Sequence, residues 1–126
     1  MRYLALASDY DGTLATHGCV HEDTVAAIER LRNCGRKFIL VTGRELNDLL
    51  RVFPEINLCD LVVAENGALL YNPATKEEKL LCSKPPEKFV KTLRDRGVDP
   101  LSVGRAIVAT WHPNETPVTE VIRLLG

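Results

Sequence analysis

Two carboxylates, Asp9 and Asp11, stand two residues apart at the end of a short apolar run, Leu4-Ala5-Leu6-Ala7, and lead into Gly12-Thr13. Carboxylates held this close repel one another, and a cation between them relieves the repulsion. Hard cations such as Mg²⁺ take oxygen ligands, using one or two protein carboxylates and leaving room for substrate phosphate. A second set, Thr42-Gly43-Arg44, follows the run Phe38-Ile39-Leu40-Val41. The Thr42 hydroxyl can donate to a phosphoryl oxygen, and Arg44 is a candidate for the substrate side. A third set, Glu65-Asn66-Gly67, follows Leu61-Val62-Val63-Ala64. Glu65 and Asn66 suit a site and plain turn chemistry equally. Together these types point to metal-assisted handling of a phosphate group.

That chemistry depends on elements that bring the three sets to one place. Each apolar run reads as a buried strand, and residues two apart on a strand share a face, so Asp9 and Asp11 can converge. A helix is expected from Glu22 to Cys34, with Val25, Ile28 and Leu31 inward, His21 as a weak cap and Gly35 as its stop. Strand, helix, strand at this spacing is a βαβ unit with parallel strands. Thr42 then reaches the same sheet edge as Asp9, the edge where open α/β sheets bind ligands. A second helix, Glu45 to Phe53, would present its N-terminal N–H groups there. Asn66-Gly67 predicts a hairpin returning through Ala68–Tyr71, with one more strand from Glu78 to Cys82. Beyond it, a helix opened by Pro85-Pro86, a strand at Ala106–Ala109 and a last helix after Pro113-Asn114 complete the pattern. Residues 14–20 read as a loop, His17 and His21 as surface residues, and Trp111 as a packing residue.

The totals suit one globular chain. Its 126 residues are 45% hydrophobic and 26% charged, with a formal charge of −1, which gives no electrostatic case for nucleic acid or an anionic membrane. Residues 1–80 carry a net −3 and residues 81–126 a net +2. Lys88 and Lys91, in the basic part, read as a solvated helix face. Cys19, Cys34, Cys59 and Cys82 lie far apart without a C-x-x-C pair, which fits reduced thiols and a cytoplasmic protein. No segment reads as a signal peptide or a membrane span. A dinucleotide-binding reading fails for want of a G-x-G-x-x-G after the first strand.

Asp9-Tyr10-Asp11-Gly12-Thr13-Leu14, Val41-Thr42-Gly43-Arg44 and Glu65-Asn66-Gly67-Ala68 together resemble the haloacid dehalogenase superfamily, and within it the Cof-type phosphatases that carry an α/β cap. The resemblance implies a Rossmann-like parallel α/β sheet, a partial core over residues 1–82 with its β-hairpin, followed by the start of the cap over residues 83–126. It implies that Asp9 is a nucleophile forming an aspartyl-phosphate and that Asp11 is the acid and base. Mg²⁺ would be held by Asp9 and the Asp11 backbone carbonyl. Thr42, assisted by the Gly43 N–H, would bind phosphate, and the partner would be a small phosphorylated metabolite. The family's lysine and later acidic motif are not among these residues. The expectation is therefore an N-terminal portion of a phosphatase, weakly active by itself. Two other readings stand beside it: a non-catalytic binding domain of the same fold, and a receiver-like signalling module. Substrate identity and oligomeric state are left open by the residues.

Overall fold

The computed structural model describes residues 2–126. Strand β1 (Ala5–Asp9) leads through a two-stranded ribbon, β2 (Ala15–Thr16) and β3 (Cys19–Val20), into helix α1 (Glu22–Asn33). Strand β4 (Lys37–Val41), helix α2 (Leu46–Val52) and strand β5 (Leu61–Ala64) follow, then the antiparallel strands β6 (Leu69–Asn72) and β7 (Glu77–Leu80). The second half holds α3 (Glu87–Asp95), β8 (Leu101–Val103), β9 (Val108–Thr110) and α4 (Glu115–Leu125). The main sheet runs β1-β4-β5-β6-β7, with the first three strands parallel and the last two antiparallel to their neighbours. The expected α/β class with a mainly parallel sheet is what forms.

Both parallel steps move the same way across the sheet, so right-handed crossovers place α1 and α2 on one face. That face carries Phe38, Leu40, Val62, Ala64, Leu69 and Tyr71, which close a core with Ile28, Leu46, Leu49 and Phe53. A second, smaller core joins Leu93, Val98 and Val121 to Phe89, Leu101, Val108, Val118 and Leu125, where α3 and α4 lie on the β8–β9 ribbon.

Within these 126 residues the first strand, expected to be buried, is not. β1 is an edge strand paired to β4 alone among the described residues, and Leu4 and Leu6 are 75% and 49% exposed. An apolar run signals a strand able to be covered on both sides, and here α1 packs over β4 instead. Residues 14–20 also depart from the predicted loop. They form the β2–β3 ribbon, closed by His17 and Gly18, both with positive φ (51° and 80°), the geometry of a two-residue hairpin turn. α1 keeps its expected bounds to within a residue, and the His21 side chain accepts from the Asp23 N–H. β8 was not foreseen, and the predicted strand at Ala106–Ala109 begins only at Val108, because Gly104–Ile107 form the turn between β8 and β9.

Asp60 ties the far end of the sheet together. Its carboxylate accepts the Phe38 N–H at 2.8 Å and faces Arg32 and Lys37 at 3.4 and 3.5 Å. Burial opposes its ionisation, but the Phe38 N–H and the two cations outweigh that and hold its pKa below the usual carboxylate range. A lowered folded pKa adds stability above the unfolded value, near pH 4, and that stability drains as pH falls through the folded value. Because Lys37 and Arg32 are partly solvated, Asp60→Asn is expected to cost only about 1 kcal/mol at pH 7. It should also flatten the acid limb below about pH 4, as read by urea midpoints across pH. Equal acid sensitivity in the variant would contradict this account.

Candidate active site

β1 ends at Asp9, whose register partner is Val41, so Thr42 is the next residue on the adjacent parallel strand. The two motifs thus emerge at one rim. Between the acids, Tyr10 turns into the core, fully buried with its ring 5.5 Å from that of Phe53, and its hydroxyl donates to the Gly18 carbonyl at 2.7 Å. Asp9 and Asp11, one residue either side, both face solvent. Gly12 (φ 74°) turns the chain so that the Tyr10 carbonyl accepts the N–H groups of Leu14 and Ala15.

Thr42 is 3% exposed. Its N–H donates to Val63, and its hydroxyl oxygen accepts the Arg44 N–H at 3.1 Å. The hydroxyl proton takes no part in that bond. Gly43 is glycine for a steric reason: a Cβ there would lie 2.7 Å from the Asn66 side-chain oxygen. Asn66 also donates its own N–H to the Thr42 carbonyl at 3.3 Å, so it buttresses the Thr42-Gly43 turn.

Arg44 is held by the protein's own carboxylates. Its guanidinium grips Asp11 with two 2.8 Å bonds, pairs with Asp48, and lies 5.5 Å over the Tyr10 ring. Asp48 pairs in turn with Arg51. The bidentate bond to Arg44 holds the Asp11 carboxyl below its usual range. Burial opposes ionisation of Asp48, yet its bonds to Arg51 and Arg44 lower its pKa as well. Asp48 was not singled out in the sequence, although its i,i+4 spacing from Arg44 carried the signal. Asp9, by contrast, has no hydrogen bond or ion pair to its carboxylate among the described residues.

Two expectations about anion binding change. The N-terminus of α2 is not open: the Leu46 N–H points at the buried Glu65 carboxylate, 3.4 Å away. Glu65 itself is wholly buried and accepts from Arg105, Ala106 and Ile107, so it does not face the rim's solvent. Trp111 is no packing residue either. It is 58% exposed and lines a cleft of about 400 Å³ with Gly43, Arg44, Glu45, Asp48, Arg51, Ser102, Ile107 and Ala109. Lys37 lies at the opposite end of the sheet, opposite Ala5.

Among the described residues no three His, Cys, Asp or Glu side chains converge on one point. Mg²⁺ does not need three, since it keeps waters and takes phosphate oxygens. The solvent-facing, uncommitted Asp9 carboxylate suits such an ion.

The model of a family described as haloacid dehalogenase-like hydrolase matches residues 6–115. The Bacillus subtilis protein YxeH, named as a phosphatase, is 39% identical over 79 residues, which are 60% of this chain and 29% of YxeH. A Buchnera aphidicola protein, also named as a phosphatase, is 36% identical over 93 residues, 72% of this chain and 34% of that one. The chain thus spans about a third of the length of these relatives. A haloacid dehalogenase-like hydrolase from Bacteroides thetaiotaomicron shares the fold, with TM-score 0.68 and 18% identity over 98% of this chain and 49% of the other. The sugar phosphatase BT4131, of subclass IIB, superposes with TM-score 0.57 at 26% identity over 94% of this chain and 47% of its own.

Proposed function

The chain belongs to the haloacid dehalogenase-like hydrolases, and from that premise we propose that its β1–β4 rim is the phosphoryl-transfer site of a Mg²⁺-dependent phosphatase working through an aspartyl-phosphate. The observation that carries this reading is the uncommitted Asp9 carboxylate, in register with Val41 and so one residue from the Thr42 hydroxyl. An Asp9 oxygen attacks phosphorus, the P–O ester bond breaks, and the leaving oxygen takes a proton from Asp11. Water then attacks the acyl phosphate while Asp11 removes its proton, releasing phosphate and restoring Asp9. Thr42 and the Gly43 N–H hold phosphoryl oxygens and stabilise the charge that builds on them. Arg44 keeps Asp11 ionised and aimed, which suits the second half; the first half needs Asp11 protonated, hence away from Arg44. Mg²⁺, held by the Asp9 carboxylate and Asp11 carbonyl, would neutralise charge on the phosphoryl group.

The substrate in this reading is a small phosphorylated metabolite, matched to a cleft of about 400 Å³. Four free cysteines suit a reducing, cytoplasmic setting. With no lysine at the rim among the described residues to offset the negative charge, turnover by these 126 residues alone is expected to be slow. The test is phosphoryl trapping. The chain with Mg²⁺ and acetyl phosphate, a small acyl phosphate, should gain a hydroxylamine-sensitive phosphoryl group mapped to the Asp9 peptide, and Mg²⁺ with beryllofluoride should form an adduct there. Phosphate binding with neither adduct would favour the non-catalytic reading, to which the Arg44–Asp11 pair lends support. Rapid hydrolysis of an aryl phosphate by this chain would refute the need for further charged residues.

A further inference from the structure

Glu65 is the one fully buried charged side chain among the described residues, and its partners are distributed unusually. One oxygen accepts the N–H of Ala106 at 2.7 Å and of Ile107 at 3.2 Å; the other faces those of Arg105 at 3.3 Å and Leu46 at 3.4 Å. Three of these donors are successive amides of the Gly104–Ile107 turn, a concave nest of N–H groups of the kind that holds an anion. Here the anion is a side chain of the core. The turn is built to admit it: Gly104 donates to the Ile107 carbonyl at 2.8 Å, and a Cβ on Gly104 would lie 2.6 Å from the Glu65 oxygen and 3.1 Å from Glu45 Cγ. The main chain of the same residue points the other way. The Glu65 N–H donates to the Arg44 carbonyl at 3.0 Å, with Glu65 and Asn66 both in the left-handed region (φ 52° and 57°). Non-glycine residues held there in sequence store strain that persists where the surroundings enforce it.

We propose that Glu65 is a positioning residue that fastens the β8–β9 hairpin onto the loop bearing Thr42, Gly43 and Arg44, and so fixes the far wall of the cleft that receives the non-phosphate part of the substrate. The near wall is Gly43, Arg44, Glu45, Asp48 and Arg51; the far wall, from the hairpin and the residue that follows it, is Ser102, Ile107, Ala109 and Trp111. That far wall is mostly apolar, and Trp111 offers a broad exposed face, so the fitting ligand carries an apolar or planar group beside its phosphate. Arg105 steadies the same turn from outside, reaching Asn47 at 2.9 Å and pairing with Glu78. The part of the proposal that concerns substrate rests on the phosphatase reading. The fastening itself does not.

The tests use the 126-residue chain and its single tryptophan. Glu65→Gln keeps the size but replaces one acceptor oxygen with a donor, which sets N–H against N–H on one side of the nest. Amide exchange at Leu46, Arg105, Ala106 and Ile107 is expected to accelerate about ten- to a hundredfold, while Leu40 and Val62 exchange as in the parent. Trp111 emission should change with it. Gly104→Ala, which pushes a methyl group into the carboxylate from the turn side, should give the same pattern. If the Arg105–Ile107 amides keep their protection in both variants, or if every amide accelerates together, the fastening role is overturned. In the substrate arm, the ratio of Asp9 phosphorylation by an aryl phosphate to that by acetyl phosphate should fall about tenfold in Glu65→Gln. An unchanged ratio alongside released amides would overturn the far-wall role. Absence of any Asp9 phosphorylation in the parent chain would sink the phosphatase reading and, with it, the far-wall role, and leave the exchange result to judge the fastening alone.

Discussion

An Asp9→Asn chain is expected to lose phosphoryl uptake from acetyl phosphate by about a thousandfold or more while unfolding at the same urea concentration as the parent. The first half follows from chemistry. A carboxylate oxygen carries a full lone pair and negative charge toward phosphorus, and an amide oxygen, its electrons drawn into resonance with nitrogen, does not. The change also removes an anionic oxygen set at the rim that has no partner among the described residues, so Mg²⁺ dependence should weaken together with uptake. The second half follows from geometry. Asp9 is solvent-facing at the last position of an edge strand, and surface changes of this kind shift stability by no more than about 0.5 kcal/mol. The measurement pairs phosphoprotein mass mapping with a denaturation curve. Undiminished uptake in the Asn variant would move the nucleophile elsewhere; a lost fold would mean that Asp9 is structural.

The separation between chemistry and folding at Asp9 shows why some of the site was legible and some was not. Asp9, Thr42 and the Asn66-Gly67 turn announce themselves because each closes a continuous apolar run, and a parallel register then carries the first two to one rim. Arg44 was legible as a charged neighbour but not as the grip on Asp11, since a guanidinium so placed could equally face solvent. Glu65 was weighed evenly between turn and site, and neither reading describes what it does. Its partners are backbone N–H groups some 40 residues away, and backbone donors leave no mark in a sequence because every residue but proline has one. The short strands β2, β3 and β8 fall below the length at which alternation can be read. The exposure of β1 depends on what lies beside it, which no property of Leu4–Ala7 encodes.

The opposite dissociation is expected at Phe38, where Phe38→Ala should cost about 3–5 kcal/mol, a large share of the roughly 5–15 kcal/mol that holds a domain folded. Phe38 is wholly buried on the helix-covered face, and its N–H and carbonyl are both engaged with Asp60. Truncation leaves a cavity that neighbours pinned by sheet pairing cannot fill. Leu6 is the internal control. It sits beside Phe38 in the parallel register, so it differs from Phe38 chiefly in being at the edge and 49% exposed. Leu6→Ala should therefore cost only about 1 kcal/mol, the transfer of roughly half a side chain. Urea midpoints at constant slope report both changes. Equal costs would mean that β1 is as enclosed as β4 in solution, and that the strand delivering Asp9 is not at the edge in this chain.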